Sequence, residues 1–254
     1  MILAIDVGNT NIMLGMIDRG EIKNIVRIHT DLHETGTEYA IKIRQITDFY
    51  GIDLHSFEGA IISSVVPPLT EKLKQSVESL IDRKPMIIGP GIKTGMNIRI
   101  DDPSSMAADM IVNSVAAGAY YGAPVIVIDM GTATTMILVD KDGSNRGGVI
   151  IPGTKLAYEA LSSGTSLLPD ISIMPPKKVI GTNTVDCMRS GAVYGTAAMI
   201  DGMLDRIERE IGYPCTAVAT GGLAQAVIPQ CRKKIIVDND LLLKGLWLLY
   251  EKNR

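Results

Sequence analysis

The chain lacks most of the marks of a secreted, membrane-embedded or nucleic-acid-binding protein. Its three cysteines, Cys187, Cys215 and Cys231, form an odd set with no CxxC spacing. They make neither a disulfide framework nor a zinc site, and they read as small buried hydrophobes. No apolar run approaches the roughly 20 residues of a membrane-spanning helix. The opening Met1-Ile2-Leu3-Ala4-Ile5-Asp6 has no basic stretch and meets an aspartate at once, unlike a secretory signal. A net charge of −3 leaves no electrostatic footprint for nucleic acid. His29, His33 and His55 have no metal-site spacing and are expected on surface or loops. Aromatics are scarce, with two phenylalanines against thirteen methionines, so flexible side chains are expected to fill the core. There is no GxxxxGK[ST], and no GxGxxG follows a strand, which argues against a P-loop and a dinucleotide fold. What remains is a cytoplasmic protein of 254 residues, 46% hydrophobic and 21% charged, long enough for one large domain or two modest ones.

The informative feature is a repeat. Residues 2–18 read ILAIDVGNTNIMLGMID, and residues 125–140 read VIVIDMGTATTMILVD. Aligning Asp6 with Asp129 also aligns Gly8 with Gly131, an offset of 123, close to half the chain. Each copy is an apolar run, Asp-x-Gly with small polar residues, and a second apolar run, which predicts strand, tight turn, strand. A further β-rich run follows each copy, EGAIISSVVPPL at 58–69 and CTAVATGGLAQA at 215–226. After the first of these, Leu73, Val77, Leu80 and Ile81 predict a helix over 70–81.

The pattern matches two α/β halves of the actin, sugar-kinase and Hsp70 superfamily, duplicated ribonuclease H-like units with an ATP cleft between them. The halves are expected at 1–115 and 116–254. An aspartate ending a buried strand can hold Mg²⁺ directly or through water, and glycine lets backbone N–H groups approach phosphate oxygens. Asn9, Thr10 and Asn11 add neutral donors in one half, and Thr132, Thr134 and Thr135 in the other. Thr220-Gly221-Gly222 reads equally as a wall for adenine or ribose and as a plain strand-to-helix turn. Asp102-Pro103 reads as a helix start, with Asp102 the N-cap and the helix running from Ser104 to about Ala117. Asp109 and Asn113 then share a face with Ala117, and Asp109 is a candidate general base.

Seven motifs in order carry a family resemblance: DVGNT (6–10), GPGIKTG (89–95), DxP…AD (102–109), IDMGTATT (128–135), GGVIIPG (147–153), GTNT…SG (181–191) and TGG (220–222). The set resembles type III pantothenate kinase over nearly the whole chain. The resemblance implies transfer of the ATP γ-phosphate to pantothenate, the first step of coenzyme A synthesis, with Mg²⁺ and a monovalent cation, K⁺ or NH₄⁺. It also implies a homodimer with the acceptor site at its interface. By the same resemblance Asp6 serves the metal and the nucleotide, and Gly8, Asn9, Thr10 and Asn11 serve the ATP phosphates. Gly131, Thr132 and Thr134 form the second phosphate loop, Gly221 and Gly222 complete the ATP site, and Asp129 holds the monovalent cation. Asp109 is the base, and Thr184 reaches the acceptor from the partner subunit.

The chain departs from the family at the acceptor pocket. The usual Gly-Ala-Asp-Arg is here Ala107-Ala108-Asp109-Met110, and Ile100 stands where a tyrosine is usual. Methionine offers no charge and no strong donor where arginine binds a carboxylate bidentately. Lys93, Arg99 and Arg189 are candidates to replace that charge. Three readings follow: a pantothenate kinase, a kinase for a less acidic acceptor, or a nucleotide-binding regulatory paralogue without turnover.

Overall fold

The computed structural model describes residues 1–254. In chain order its elements are β1 (Ile2–Val7), β2 (Asn11–Asp18), β3 (Glu21–His29), α1 (Gly36–Phe49), β4 (Gly59–Ser64), α2 (Pro67–Ile81), β5 (Met86–Ile87) and α3 (Ala108–Tyr121). There follow β6 (Val125–Met130), β7 (Ala133–Val139), β8 (Asn145–Pro152), α4 (Thr154–Ser163), α5 (Thr184–Ser190), α6 (Thr196–Ile211), β9 (Thr216–Thr220), α7 (Ala224–Val227), β10 (Ile236–Val237) and α8 (Leu241–Asn253). They divide into two compact units. One comprises Met1–Gly95, Asp101–Ala116 and Leu241–Arg254; the other comprises Met96–Ile100 and Ala117–Asp240.

The first unit is a five-stranded sheet in the order β3-β2-β1-β4-β5. Strand β1 runs antiparallel to β2 and parallel to β4. Its near-continuous apolar sequence suits a strand covered on both faces. Leu3, Ile5 and Val7, with Ile12, Leu14 and Met16 of β2, pack beneath Tyr39 and Ile43 of α1 and Leu69, Leu73 and Val77 of α2. The other face, with Ile2, Ala4 and Ile61, packs against Ala108 and Val112 of α3 and Leu243, Leu246 and Leu249 of α8. A Cβ on Gly245 would lie 2.3 Å from the Val112 carbonyl oxygen, so glycine lets these two helices meet backbone to backbone. Helix α1 starts with a capping box between Thr35 and Glu38, which satisfies two otherwise orphaned backbone donors. Helix α2 begins three residues before the expected Thr70, because prolines 67 and 68 occupy its first positions, where a missing N–H costs nothing.

The helix expected from Ser104 begins later. Asp102 does act as a cap, accepting from the Ser104 N–H at 3.0 Å and its hydroxyl at 2.6 Å, but it caps only a single 3₁₀ turn over Pro103–Ser105. Met106 is extended, and the α-helix starts at Ala108. The serines explain the break, since Ser104 and Ser105 both bond back to Asp102 and compete with helical pairing. Asp109 consequently lies in the first turn of α3 rather than in mid-helix.

The second unit repeats the architecture as β8-β7-β6-β9-β10. Strand β6 is antiparallel to β7 and parallel to β9, as β1 is to β2 and β4. Ile126, Ile128 and Met130 pack with Met136 and Leu138 against Ala197, Ile200 and Leu204 of α6 and Ala224 and Val227 of α7. The 96–100 segment joins this unit through backbone bonds of 2.8 Å from Arg99 N–H to the Asn145 carbonyl and from Asn145 N–H to the Asn97 carbonyl. A π-helical turn, Gly191–Gly195, links α5 to α6. Cys187 is exposed and only Cys215 and Cys231 are partly covered, which corrects the expectation of three buried thiols. Cys187 lies on a two-turn helix that presents one side to solvent. No helix is long and apolar enough to cross a membrane.

Leu246 is completely buried where α8 meets the sheet. Leu246→Ala should therefore lower the unfolding free energy by about 2–5 kcal/mol, read from urea denaturation. An unchanged midpoint would contradict this account of how α8 packs.

Candidate active site

In β1, residues 2, 4 and 6 share one face, so the Asp6 carboxylate lies on the side covered by α3 and α8. Its parallel neighbour in register is Ser63 of β4, a fully buried residue whose hydroxyl donates to Asp6 Oδ1 at 2.9 Å. That bond fixes the direction of the carboxylate. Beyond Val7 the chain turns through Gly8, Asn9, Thr10 and Asn11, with the Gly8 N–H donating to the Asn11 carbonyl at 3.0 Å. Asn9, Thr10 and Asn11 are exposed. Asn11 begins β2, on the face shared by Met13 and its partner Asp6.

Asp109 belongs to the same unit. Its neighbour Ala108 packs in the cluster that contains Ala4 and Ile2, so α3 lies on the face of the sheet that carries Asp6. Burial pushes the Asp109 carboxyl above its ordinary value, opposed by the Met110 N–H, which donates to Oδ1 at 2.7 Å. A carboxylate made more basic by desolvation is suited to receiving a proton. Met110 directly after it and Ala107 two residues before it are half-buried.

The second unit carries the matching arrangement. Asp129 pairs in register with Thr135 of β7 and Thr220 of β9. Gly131 and Thr132 form the turn, both exposed, with the Gly131 N–H donating to the Ala133 carbonyl at 3.0 Å. The alternation places Ala133 and Thr135 on the face of Asp129. Thr134, at 1% exposure, lies on the opposite face, the one that packs against α6. Gly221 adopts φ +98°, and a Cβ there would lie 2.6–2.7 Å from the Met130 backbone, so backbone conformation and strand packing both require glycine here. Gly222 is exposed with nothing within 4 Å of a Cβ, and of the two it alone leaves open space. Ile100 packs toward Gly147, where a Cβ would come within 3.1 Å of its side chain. Thr184 is exposed at the first position of α5, beside the capping Asn183.

Two of the three candidate cations are engaged elsewhere. The Arg99 guanidinium pairs with Asp142 at 2.9 Å. Arg189 donates to the Ser172 hydroxyl and carbonyl at 2.9 and 3.2 Å. Lys93 is exposed, its backbone held by Asn253.

A sequence model described as type III pantothenate kinase matches residues 2–206. The chain belongs to that family. The match includes both turns and Asp109 and ends before Thr220-Gly221-Gly222. Among solved structures, similarity is found to a putative 2-dehydro-3-deoxygalactonokinase protein from Sinorhizobium meliloti (TM-score 0.62, 13% identity, 99% of this chain and 96% of that one). A conserved putative Baf family transcriptional activator from Campylobacter jejuni gives a TM-score of 0.56 at 18% identity, over 99% of this chain and 98% of that one. A ROK hexokinase from Thermus thermophilus gives 0.53 at 11% identity, over 100% and 99%. At these identities the likeness establishes the fold alone, two α/β units each built on a mixed five-stranded sheet.

Two residues, Ser63 and Thr30, lie outside the family motifs, and a third, Gly153, lies within one without a role assigned to it. Ser63 lies in an ordinary strand sequence, and only register places it beside Asp6. Thr30 and Gly153 touch the two turns from the strand after next. Gly153 ends the GGVIIPG motif and so left a signal; Thr30 left none.

The shift at Asp109 has a consequence for stability. Its folded pKa lies above the unfolded value near 3.8, so the native state binds more protons between the two values. The associated stability is present below the unfolded pKa and is lost as pH rises through the folded pKa. Asp109→Asn should thus be more resistant to denaturant than the parent at neutral pH, with the gap closing toward about pH 4. A pH-independent difference between the two would contradict the desolvation.

Proposed function

We propose that this protein transfers the γ-phosphoryl group of ATP to the terminal hydroxyl of pantothenate, giving 4′-phosphopantothenate. The observation that carries the reading is the family match across both Asp-x-Gly turns together with Asp109, a carboxyl made more basic by burial at the start of α3. On this reading the acceptor oxygen attacks Pγ, the bond from Pγ to the bridging oxygen breaks, and ADP leaves. The hydroxyl proton passes to the Asp109 carboxylate. Such a transfer has a loose transition state, so positioning and charge neutralisation matter more than a strong base.

The residues suit the groups they would hold. The Gly8–Asn11 turn and the Gly131–Thr132 turn present exposed backbone and small polar side chains to the ATP phosphates. Gly222 leaves room for the nucleoside. The Asp6 carboxylate, oriented by Ser63, is a hard oxygen donor that suits Mg²⁺. When bound, that ion would neutralise charge on the β- and γ-phosphates. Asp129 would serve the monovalent cation. Thr184 would complete the acceptor site of a second copy in a homodimer.

A second reading is favoured by a specific observation: Met110 brings no charge, and Arg99 and Arg189 are occupied by Asp142 and Ser172. The acceptor is then a less acidic alcohol. A coupled assay with ATP, Mg²⁺, K⁺ and pantothenate separates the two. The first reading expects phosphopantothenate from the unmodified protein, with kcat reduced at least about 100-fold in Asp109→Asn. It also expects Met110→Arg to lower the KM for pantothenate by roughly 10- to 150-fold, the worth of a hydrogen bond to a charged group. ATP binding without product, with activity appearing in Met110→Arg, would instead establish the second reading. Absence of ATP binding would reject both.

A further inference from the structure

Each turn is tied to the residue that follows the third strand of its own sheet. In the first unit this is Thr30, directly after β3. Its backbone N–H donates to the Thr10 carbonyl at 3.0 Å, and its hydroxyl donates to the Gly8 carbonyl at 2.6 Å. In the second unit it is Gly153, directly after β8, whose N–H donates to the Thr132 carbonyl, again at 3.0 Å. Thr10 and Thr132 each immediately precede the second strand, so the two backbone bonds occupy the same place in the repeat.

The residue types differ because the turns differ in length by one residue. The Gly8 N–H spans to Asn11, whereas the Gly131 N–H spans only to Ala133. The shorter turn brings the Thr132 and Gly131 carbonyls to 2.3 and 2.5 Å from where a Cβ on residue 153 would stand, and only glycine fits. The longer turn admits a side chain, and the threonine hydroxyl engages the Gly8 carbonyl. Thr30 is itself anchored, since the next residue, Asp31, bonds through its N–H and carbonyl to the hydroxyl of the wholly buried Tyr39, at 3.0 and 2.8 Å.

In a trans peptide the C=O and N–H point in opposite directions. Drawing the Gly8 and Thr10 carbonyls toward Thr30 therefore turns the N–H groups of Asn9 and Asn11 to the other side of the turn. Neighbouring N–H groups aimed the same way form a concavity for phosphate oxygens. We infer that Thr30 is a positioning residue for the nucleotide: it sets the direction of the N–H donors in the Gly8–Asn11 turn without touching phosphate itself. This inference rests on the proposed ATP-dependent reaction.

The test compares Thr30→Val, which keeps the shape and loses the hydroxyl, with Thr30→Ser, which keeps the hydroxyl and loses the methyl. ATP affinity is measured by calorimetry on the full chain, beside KM for ATP and for the acceptor. Thr30→Val should weaken ATP binding roughly 5- to 10-fold, the worth of one hydrogen bond, and raise KM for ATP in step. The acceptor KM should hold, the thermal midpoint should fall by only about 2–4 °C for the one lost bond, and Thr30→Ser should stay within about twofold of the parent. Unchanged ATP affinity in Thr30→Val would overturn the inference alone. So would a loss of roughly 5- to 10-fold in Thr30→Ser, which would assign the effect to packing of the methyl; that outcome is read on Thr30→Ser alone and decides even if Thr30→Val does not fold. Failure of the unmodified protein to bind ATP would overturn the proposed function and this inference with it.

Discussion

Strand β1 pairs in parallel with β4, and β6 pairs in parallel with β9. These two pairings set the direction of everything at the site. A parallel neighbour delivers its side chains in step, so Ser63 arrives beside Asp6 on one face and Thr220 beside Asp129 on the corresponding face of the other unit. Both strands are covered on either side, and a shift of one residue would turn each aspartate into an apolar layer. The cost of burying a carboxylate among Leu3, Ile5 and Val7 is what makes the register firm.

Around each strand the turn is shaped from outside its own sequence. The backbone bond from the end of the third strand recurs in both units, while the residue that makes it changes from threonine to glycine with turn length. Duplication has thus preserved a contact rather than a residue. The same holds for the aspartates, whose in-register partners are Ser63 in one copy and Thr220 in the other, both carrying a hydroxyl.

The departures from the family motifs fall at Ile100, Ala107 and Met110, while both Asp-x-Gly turns keep the family pattern. Met110 follows a carboxyl that burial has made more basic, and in the second unit the Arg99 and Arg189 guanidiniums are bound to Asp142 and Ser172. Phosphoryl transfer depends on placing a hydroxyl and neutralising phosphate charge, and neither demand names the acceptor. A pocket can therefore drift in specificity while its base and turns persist.

The sequence by itself determined the strand-turn-strand repeat, the two Asp-x-Gly turns, the family and the helix over 70–81. Those features are local: apolar runs, small residues at a reversal and the helical spacing of Leu73, Val77, Leu80 and Ile81 each declare themselves within a few residues. Tertiary structure alone decided that α8 packs with the first unit, that Thr134 lies on the covered face while Thr135 shares a face with Asp129, and that the helix bearing Asp109 starts at Ala108. It alone showed the Met130 backbone against Gly221, and it alone brought Ser63 to Asp6 and Thr30 and Gly153 to the turns. Each of these depends on register or on contact between residues distant in the chain. Composition and spacing cannot fix such contacts until the sheets have formed.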